Sequence, residues 1–288
     1  NPEKHNLADF ALWKWSPNNA KRDMEWDYRG RKGFPGWHLE CSAIALNTLG
    51  ETLDIHTGGI DHIPVHHTDE IAQSECHTGK KFANYWLHCN HMTSEGRKIS
   101  KSLENGFTLD DLSEKGFSPL DFKMLVLQSQ YQTGGDFTFE NLQAAQNRLK
   151  NWRNIAALRH QISGQKGEGI PSLAGKNAIL EAINENLDTP KALAQTDEIF
   201  LEISKMPAEK LSKSNLVELL EFLDELLGLD LLASTPDISE VSKQKILQRR
   251  IAREQKDWAT SDQIRDELLA EGIVLRDTPS KTIWEFEK

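Results

Sequence analysis

The chain has 288 residues, 38% of them hydrophobic, and a formal net charge of −10. That length holds two or three domains, and the negative charge excludes a uniformly basic nucleic-acid coat while leaving local basic patches open. No apolar run reaches membrane-spanning length, nothing at the N-terminus resembles a signal sequence, and three cysteines (Cys41, Cys76, Cys89) argue for a reducing cytoplasm rather than a disulfide framework.

Residues 1–108 mix glycine turns with short apolar runs and are expected to be α/β. The segment Gly36-Trp37-His38-Leu39-Glu40-Cys41-Ser42-Ala43 supplies one thiol. Leu53–His56 is predicted to be a buried strand, followed by the turn Thr57-Gly58-Gly59 and then a helix carrying His66. Strand, glycine turn and helix in that order mark the carboxyl end of a strand, where α/β sheets bind ligands. His66 and Glu70 are four apart, so they share one helix face. With Cys41 they form a sulfur, nitrogen and oxygen donor set that suits zinc and leaves a fourth position open. A core cysteine beside a solvated His/Glu helix face would give the same pattern. Crowding favours the site: His38, His56, His62, His66 and His67 lie together, and nine of the ten histidines precede residue 92. Imidazole ligates, donates and titrates near neutrality.

Further on, Lys98-Ile99-Ser100-Lys101-Ser102 follows a turn at Gly96. Two ammonium groups flanking a serine can neutralise charge developing on pyrophosphate, although solvated Lys/Ser loops are common. Residues 109–240 read as helical. Leu142, Ala145, Leu149, Trp152 and Ala156 form one apolar stripe, and Leu216, Leu219, Leu220, Leu223, Leu226 and Leu227 form another. Both are read as core. Ile162–Pro171 and Ala233–Asp237 are expected to be loops. Residues 241–288 read as a basic helix, an amphipathic helix and a hairpin pairing Ile273–Arg276 with Lys281–Trp284. Lys243, Lys245, Arg249, Arg250, Arg253 and Lys256 make a locally basic strip interrupted by Glu254, suited to phosphate contacts, with Trp258 nearby for stacking.

Several of these segments together resemble one family. Lys98–Ser102 resembles the K-M-S-K-S loop of class I aminoacyl-tRNA synthetases, with Ile99 for methionine. Pro35–Ala43, Asp54-Ile55-His56-Thr57-Gly58-Gly59-Ile60-Asp61, His66–Ser74 and Tyr85-Trp86-Leu87-His88 resemble motifs of cysteinyl-tRNA synthetases, as do Ala252–Ala259 and Asp262–Asp266 near the end. The resemblance implies the second half of a Rossmann-type catalytic domain (1–108), a helical stem-contact and bundle domain (109–240), and a small α+β anticodon-binding domain (241–288). It implies ATP-dependent activation of cysteine, with Mg²⁺, and transfer to tRNA-Cys by a cytoplasmic monomer. Zinc on Cys41, His66 and Glu70 would recognise the substrate thiolate. Trp37, His38, His56 and Asp61 would line the substrate pocket, with Asp61 facing the ammonium group. Lys98, Ser100, Lys101, Gly58 and Gly59 would serve ATP, Lys101 foremost. Arg253, Trp258, Asp262 and Asp277 would face the anticodon.

Two departures, Thr57 for glycine and Thr68-Asp69 for an acidic-amide pair, are expected to leave the ligands untouched. The family's first zinc cysteine and its H-I-G-H-like motif are not found, so the chain is expected to be the carboxy-terminal part of a longer enzyme, inactive alone. The other readings are a mycothiol-pathway cysteine ligase, which lacks the terminal unit, and a non-catalytic zinc- or RNA-binding paralogue.

Overall fold

The structure is a computed structural model that describes residues 4–19, 22–103, 105–162, 173–207, 210–277 and 282–287. Its contacts divide into two compact units, residues 1–91 with 131–134, and residues 92–130 with 135–288.

The first unit begins with three short strands, β1 (Trp13–Trp15), β2 (Trp26–Tyr28) and β3 (Arg31–Pro35), in an antiparallel sheet of order β1-β3-β2. Helix α1 (Trp37–Thr48) follows directly. Gly36 is its N-cap, and glycine is needed there because a Cβ would strike the Ala11 carbonyl. Strand β4 (Leu53–Gly59) then pairs in parallel with β5 (Ala83–Cys89), and α2 (Thr68–Thr78) forms the crossover between them. The expected strand is present, but it runs on through Thr57-Gly58-Gly59, which were predicted to turn. It is also less buried than expected. Leu53 packs with Phe82, Ala83, Leu46 and Trp86, whereas the paired Ile55 and Tyr85 are 59% and 69% exposed. Side chains alternate along a strand, so His56 and Trp86 occupy the opposite face from Ile55 and Tyr85.

Between β4 and α2 the chain makes a 3-10 turn (Ile60–His62) and a π-helical turn (Ile63–His67) before entering the α-helix. The predicted helix therefore begins irregularly, and His66 lies in its wider turn. Such π turns occur often at functional sites, because they re-aim side chains that a regular spiral would direct elsewhere.

The second unit opens with β6 (Thr93–Ser94) and β7 (Arg97–Lys98); β8 (Asp136–Phe137) pairs with β6 on the other side. Between them lie α3 (Leu109–Glu114) and α4 (Pro119–Leu127), each started by a reciprocal cap: Thr108 with Asp111, and Ser118 with Asp121. Helices α5 (Phe139–Ala157), α6 (Leu173–Asn184), α7 (Thr189–Lys205) and α8 (Lys213–Leu227) share one core. Both predicted stripes are inside it, with only Leu226 partly exposed. The Ala233–Asp237 loop is as expected; of Ile162–Pro171, all but Ile162 lies outside the described residues. Last come α9 (Glu240–Glu254), α10 (Trp258–Ala270) and an antiparallel hairpin of β9 (Ile273–Asp277) with β10 (Thr282–Phe286). Ile264, Leu268, Ile273 and Trp284 close a small core of their own with Ala157 and Ile238.

Candidate metal centre and nucleotide loop

Helix α2 presents its first turns to the His56 face of β4. Glu70 is fully buried, at 0% exposure. One carboxylate oxygen, Oε2, accepts from His56 Nε2 at 2.8 Å. The other, Oε1, has no hydrogen-bond partner. Ligand atoms of Cys41, His66 and Glu70 all lie within 4.8 Å of one another, and His66 Nε2 is 3.9 Å from that free oxygen. A buried carboxylate oxygen without a donor is costly, and a cation removes the cost. The residues therefore fit a zinc ion, which is held by donors of these three kinds.

The surrounding histidines make a consistent chain. His66 Nδ1 is 3.0 Å from His38 Nδ1, and His38 Nε2 is 3.2 Å from Asp69 Oδ2. With His66 Nε2 turned to the metal, its Nδ1–H donates to His38, whose Nε2–H then donates to Asp69. A partner of this kind fixes a ligating imidazole in one tautomer. The Thr68-Asp69 departure makes no direct contact with the three ligands, but Asp69 meets His38, the partner of His66. His67 Nδ1 meets His88 Nε2 at 2.8 Å, and burial first, then neighbouring His56 and His88, lower the His67 pKa to about 4. It is neutral near pH 7. Burial also lowers the His66 pKa, against the raising effect of Glu70. Burial, followed by the charges of Glu70 and Glu40, pushes the Cys41 thiol up. A bound cation reverses that last balance and yields the thiolate ligand.

Trp37 is 74% exposed at the head of α1, edge-on to His66 with ring centroids 6.3 Å apart. Asp61 is exposed, and its Oδ1 lies 3.2 Å from His91 Nε2. Gly58 sits under two rings: a Cβ there would be 2.6 Å from His67 Cε1 and 2.8 Å from His62 Nδ1. At Gly59 an added Cβ would strike Asp61. Both glycines thus serve the histidine cluster by their lack of side chain. A second triple, His56, His67 and Glu70, also brings ligand atoms within 4.8 Å. There the His56 hydrogen bond already uses Glu70 Oε2, so the first triple is the better cation site. Asp69 and His88 were missed as site residues. Asp69 could have been found from its place beside Glu70, and His88 from its place at the end of a parallel strand.

Lys98, Ser100 and Lys101 belong to the second unit and are described within it. Asn105 ties their loop: its Nδ2 donates to the Lys98 carbonyl at 3.0 Å, and its Oδ1 accepts from the Ser100 amide at 3.0 Å. Lys98 is exposed.

In the terminal elements Asp277 is the pivot. Arg249, 3% exposed, donates to both its oxygens at 3.0 Å, Thr282 donates to Oδ1 at 2.6 Å, and Arg253 donates to Oδ2. Arg249 above all holds the Asp277 carboxyl far below the usual range. Its four acceptor positions are thus filled, which leaves Asp277 no free lone pair for a base amino group in this structure. The basic strip is also less basic than its sequence suggested. Lys243 pairs with Asp237 and Glu240, and Lys245 with Glu267 and Glu271. Those acids come largely from other segments, which a reading of one helix could not include. Trp258 is exposed at the start of α10, and Asp262 pairs with Arg265 at 3.1 Å.

These features define a class I synthetase catalytic domain together with a terminal α+β unit. Residues 1–147 match the family described as the tRNA synthetases class I (C) catalytic domain, and residues 235–284 match the cysteinyl-tRNA ligase anticodon binding domain. The chain belongs to the class I (C) tRNA synthetase family. It is 39% identical to the cysteine–tRNA ligase of Solibacter usitatus over 98% of its own length and 62% of that protein. It is 35% identical to the cysteine–tRNA ligase of Protochlamydia amoebophila over 97% of its length and 60% of that protein. The chain therefore spans about three fifths of these relatives. Its fold is similar to the LeuRS of Agrobacterium radiobacter K84 solved with tRNA and LeuAMS, with a TM-score of 0.54, 14% identity, and coverage of 75% of this chain and 34% of that one. No helix among the described residues is long and apolar enough to cross a membrane.

Proposed function

We propose that this chain belongs to a cysteine–tRNA ligase that joins cysteine to tRNA-Cys at the expense of ATP, with Mg²⁺. The observation that carries the reading is the buried Glu70 with one oxygen free, grouped with Cys41 and His66. Zinc held there would supply a soft Lewis acid that prefers the sulfur of cysteine to the oxygen of serine. A purely apolar pocket separates such near-isosteres poorly. Trp37 would wall the amino-acid pocket beside the metal, His38 and His56 would orient the ligands, and Asp61, exposed next to His91, would receive the ammonium group. Lys98, Ser100 and Lys101 would meet the ATP phosphates, with Gly58 and Gly59 keeping that end of β4 open. Arg253, Trp258 and Asp262 would face the anticodon, with Asp277 holding Arg253 in place. Domains at 1–108, 109–240 and 241–288, a monomeric state and a cytoplasmic setting belong to the same reading.

The test is ATP–pyrophosphate exchange by the enzyme that contains this chain. Exchange should require cysteine and be at least ~100-fold weaker with serine, the discrimination that a site built for one donor atom supplies. Comparable exchange with both amino acids would refute the zinc-based selectivity.

A further inference from the structure

The three-stranded sheet of the first unit carries a set of aromatic side chains that the zinc and nucleotide reading leaves unused. Its register places Trp15 and Trp26 on either side of Gly33, and Tyr28 opposite Arg31. By strand alternation Trp13, Trp15, Trp26, Tyr28 and Arg31 share one face. Trp15, Trp26 and Tyr28 are 40%, 46% and 44% exposed. Trp15 and Tyr28 are stacked, with centroids 6.1 Å apart and planes 21° from parallel, and Trp13 tilts against Tyr28 at 5.4 Å. Gly33 leaves the middle of the face low enough for the Trp13 indole to lean across it; a Cβ there would collide with that ring.

Among the described residues the charges on this face have one sign. Arg31 lies over Trp15 at 4.8 Å, and Arg29 over Tyr28 at 5.2 Å. Asp27, the acid within the strands, alternates to the other face and pairs with Lys32 at 3.0 Å. Asp23 and Glu25 lie on the connection before β2. Arg29 also occupies an unusual place. It forms with Gly30 the two-residue turn of the β2–β3 hairpin, and both have positive φ, 49° and 77°. Such turns favour Asn, Asp or Gly at the first position, so an arginine there bears a conformational cost and sets a cation at the rim.

We propose that this face binds unpaired RNA, stacking bases on Trp26, Tyr28 and Trp15 while Arg29 and Arg31 meet the phosphates. Exposed rings on a sheet accept any base face, and rim cations supply the complementary charge that an acidic chain otherwise lacks. A protein segment could also lie on exposed aromatics. The unrelieved positive charge and the rim arginine favour a polyanion.

The experiment uses the 288-residue chain and a fluorescein-labelled, mixed-sequence, eight-nucleotide RNA, single-stranded or annealed to its complement, with anisotropy read at fixed salt. The single strand should bind about tenfold more tightly than the duplex, and W26A/Y28A should lose about tenfold or more of that affinity. W26F/Y28F should retain most of it, and R29A/R31A should flatten the salt dependence. Photo-cross-linking of the unsubstituted chain should place RNA on peptides within residues 13–31, which keeps the proposal testable should the alanine variants fold poorly. Unchanged binding by a folded W26A/Y28A chain, or cross-links confined to residues 241–288, would overturn it. A W26A/Y28A chain that melts early yet binds normally would show the face to be a packing surface. Neither result bears on zinc or on cysteine selectivity, so this idea and the preceding one fail separately.

Discussion

Two carboxylates sit at the centres of two charged clusters of this protein, and their surroundings satisfy them differently. Glu70 is wholly buried, accepts from His56 through one oxygen and leaves the other without a donor. Asp277 is partly exposed and fully engaged by Arg249, Arg253 and Thr282. The residue types are nearly the same, an acid among cations or potential cations. What differs is whether the protein itself completes the shell. A carboxylate completed by arginines is an element of architecture. One buried among histidines and a thiol, with no lysine or arginine among its described partners, has an oxygen left for a cation from outside.

Glu70→Gln should have the largest effect on that contrast. It preserves shape and removes the charge, so zinc affinity should fall by more than ~100-fold, read by competition with a chromophoric chelator. Full retention of zinc would place the metal elsewhere. Stripping zinc from the unsubstituted protein should lower the melting temperature of the first unit, and Glu70→Gln should abolish that metal dependence. On the other side, Arg249→Met should cost about 2 kcal/mol in urea unfolding, because a partly buried Asp277 loses its two-pronged partner. It should leave zinc affinity unchanged. A shift in both properties would mean the two clusters are not independent.

Much of the first cluster was legible in the sequence because its members are close in the chain and chemically distinctive. His66 and Glu70 are four residues apart, and Cys41 is the one cysteine that falls in the glycine-bounded segment before β4. The π-helical turn that aims His66 was not legible, since turn widening depends on packing against β4 rather than on local propensity. The helical core was visible for the opposite reason: a stripe such as Leu142 to Ala156 repeats with the helix period and needs no knowledge of its partners. The terminal cluster was misjudged because its acids are distant in sequence. Arg249 and Asp277 are separated by most of α10 and β9, so a helix that reads as basic is largely neutralised on folding. Charge runs reveal surface potential only after every facing element has been counted.

Gly58→Ala should produce a smaller, more local change. Its new methyl would enter the space of the His67 and His62 rings, which must move by several tenths of an ångström. Zinc affinity should fall about tenfold, as it does when a group supporting metal ligands is displaced, while the global fold persists. Normal affinity would show that the histidine cluster adjusts without transmitting the shift to His66.

The smallest effect is a pH dependence that belongs to Asp277 alone. Its folded pKa lies below the ordinary aspartate value, chiefly because Arg249 donates to it. The unfolded chain therefore binds the proton first as pH falls. The stabilisation is fully present above about pH 4, the unfolded aspartate range, and declines as pH falls through and below that value. Melting curves of the protein and of Asp277→Asn should thus differ by a constant amount near neutrality and converge in acid. Much of this charge faces solvent, so added salt should shrink the neutral-pH difference without moving the onset of convergence. Convergence beginning near pH 6 would instead assign the effect to histidines, and the arginine-completed carboxylate would no longer account for it.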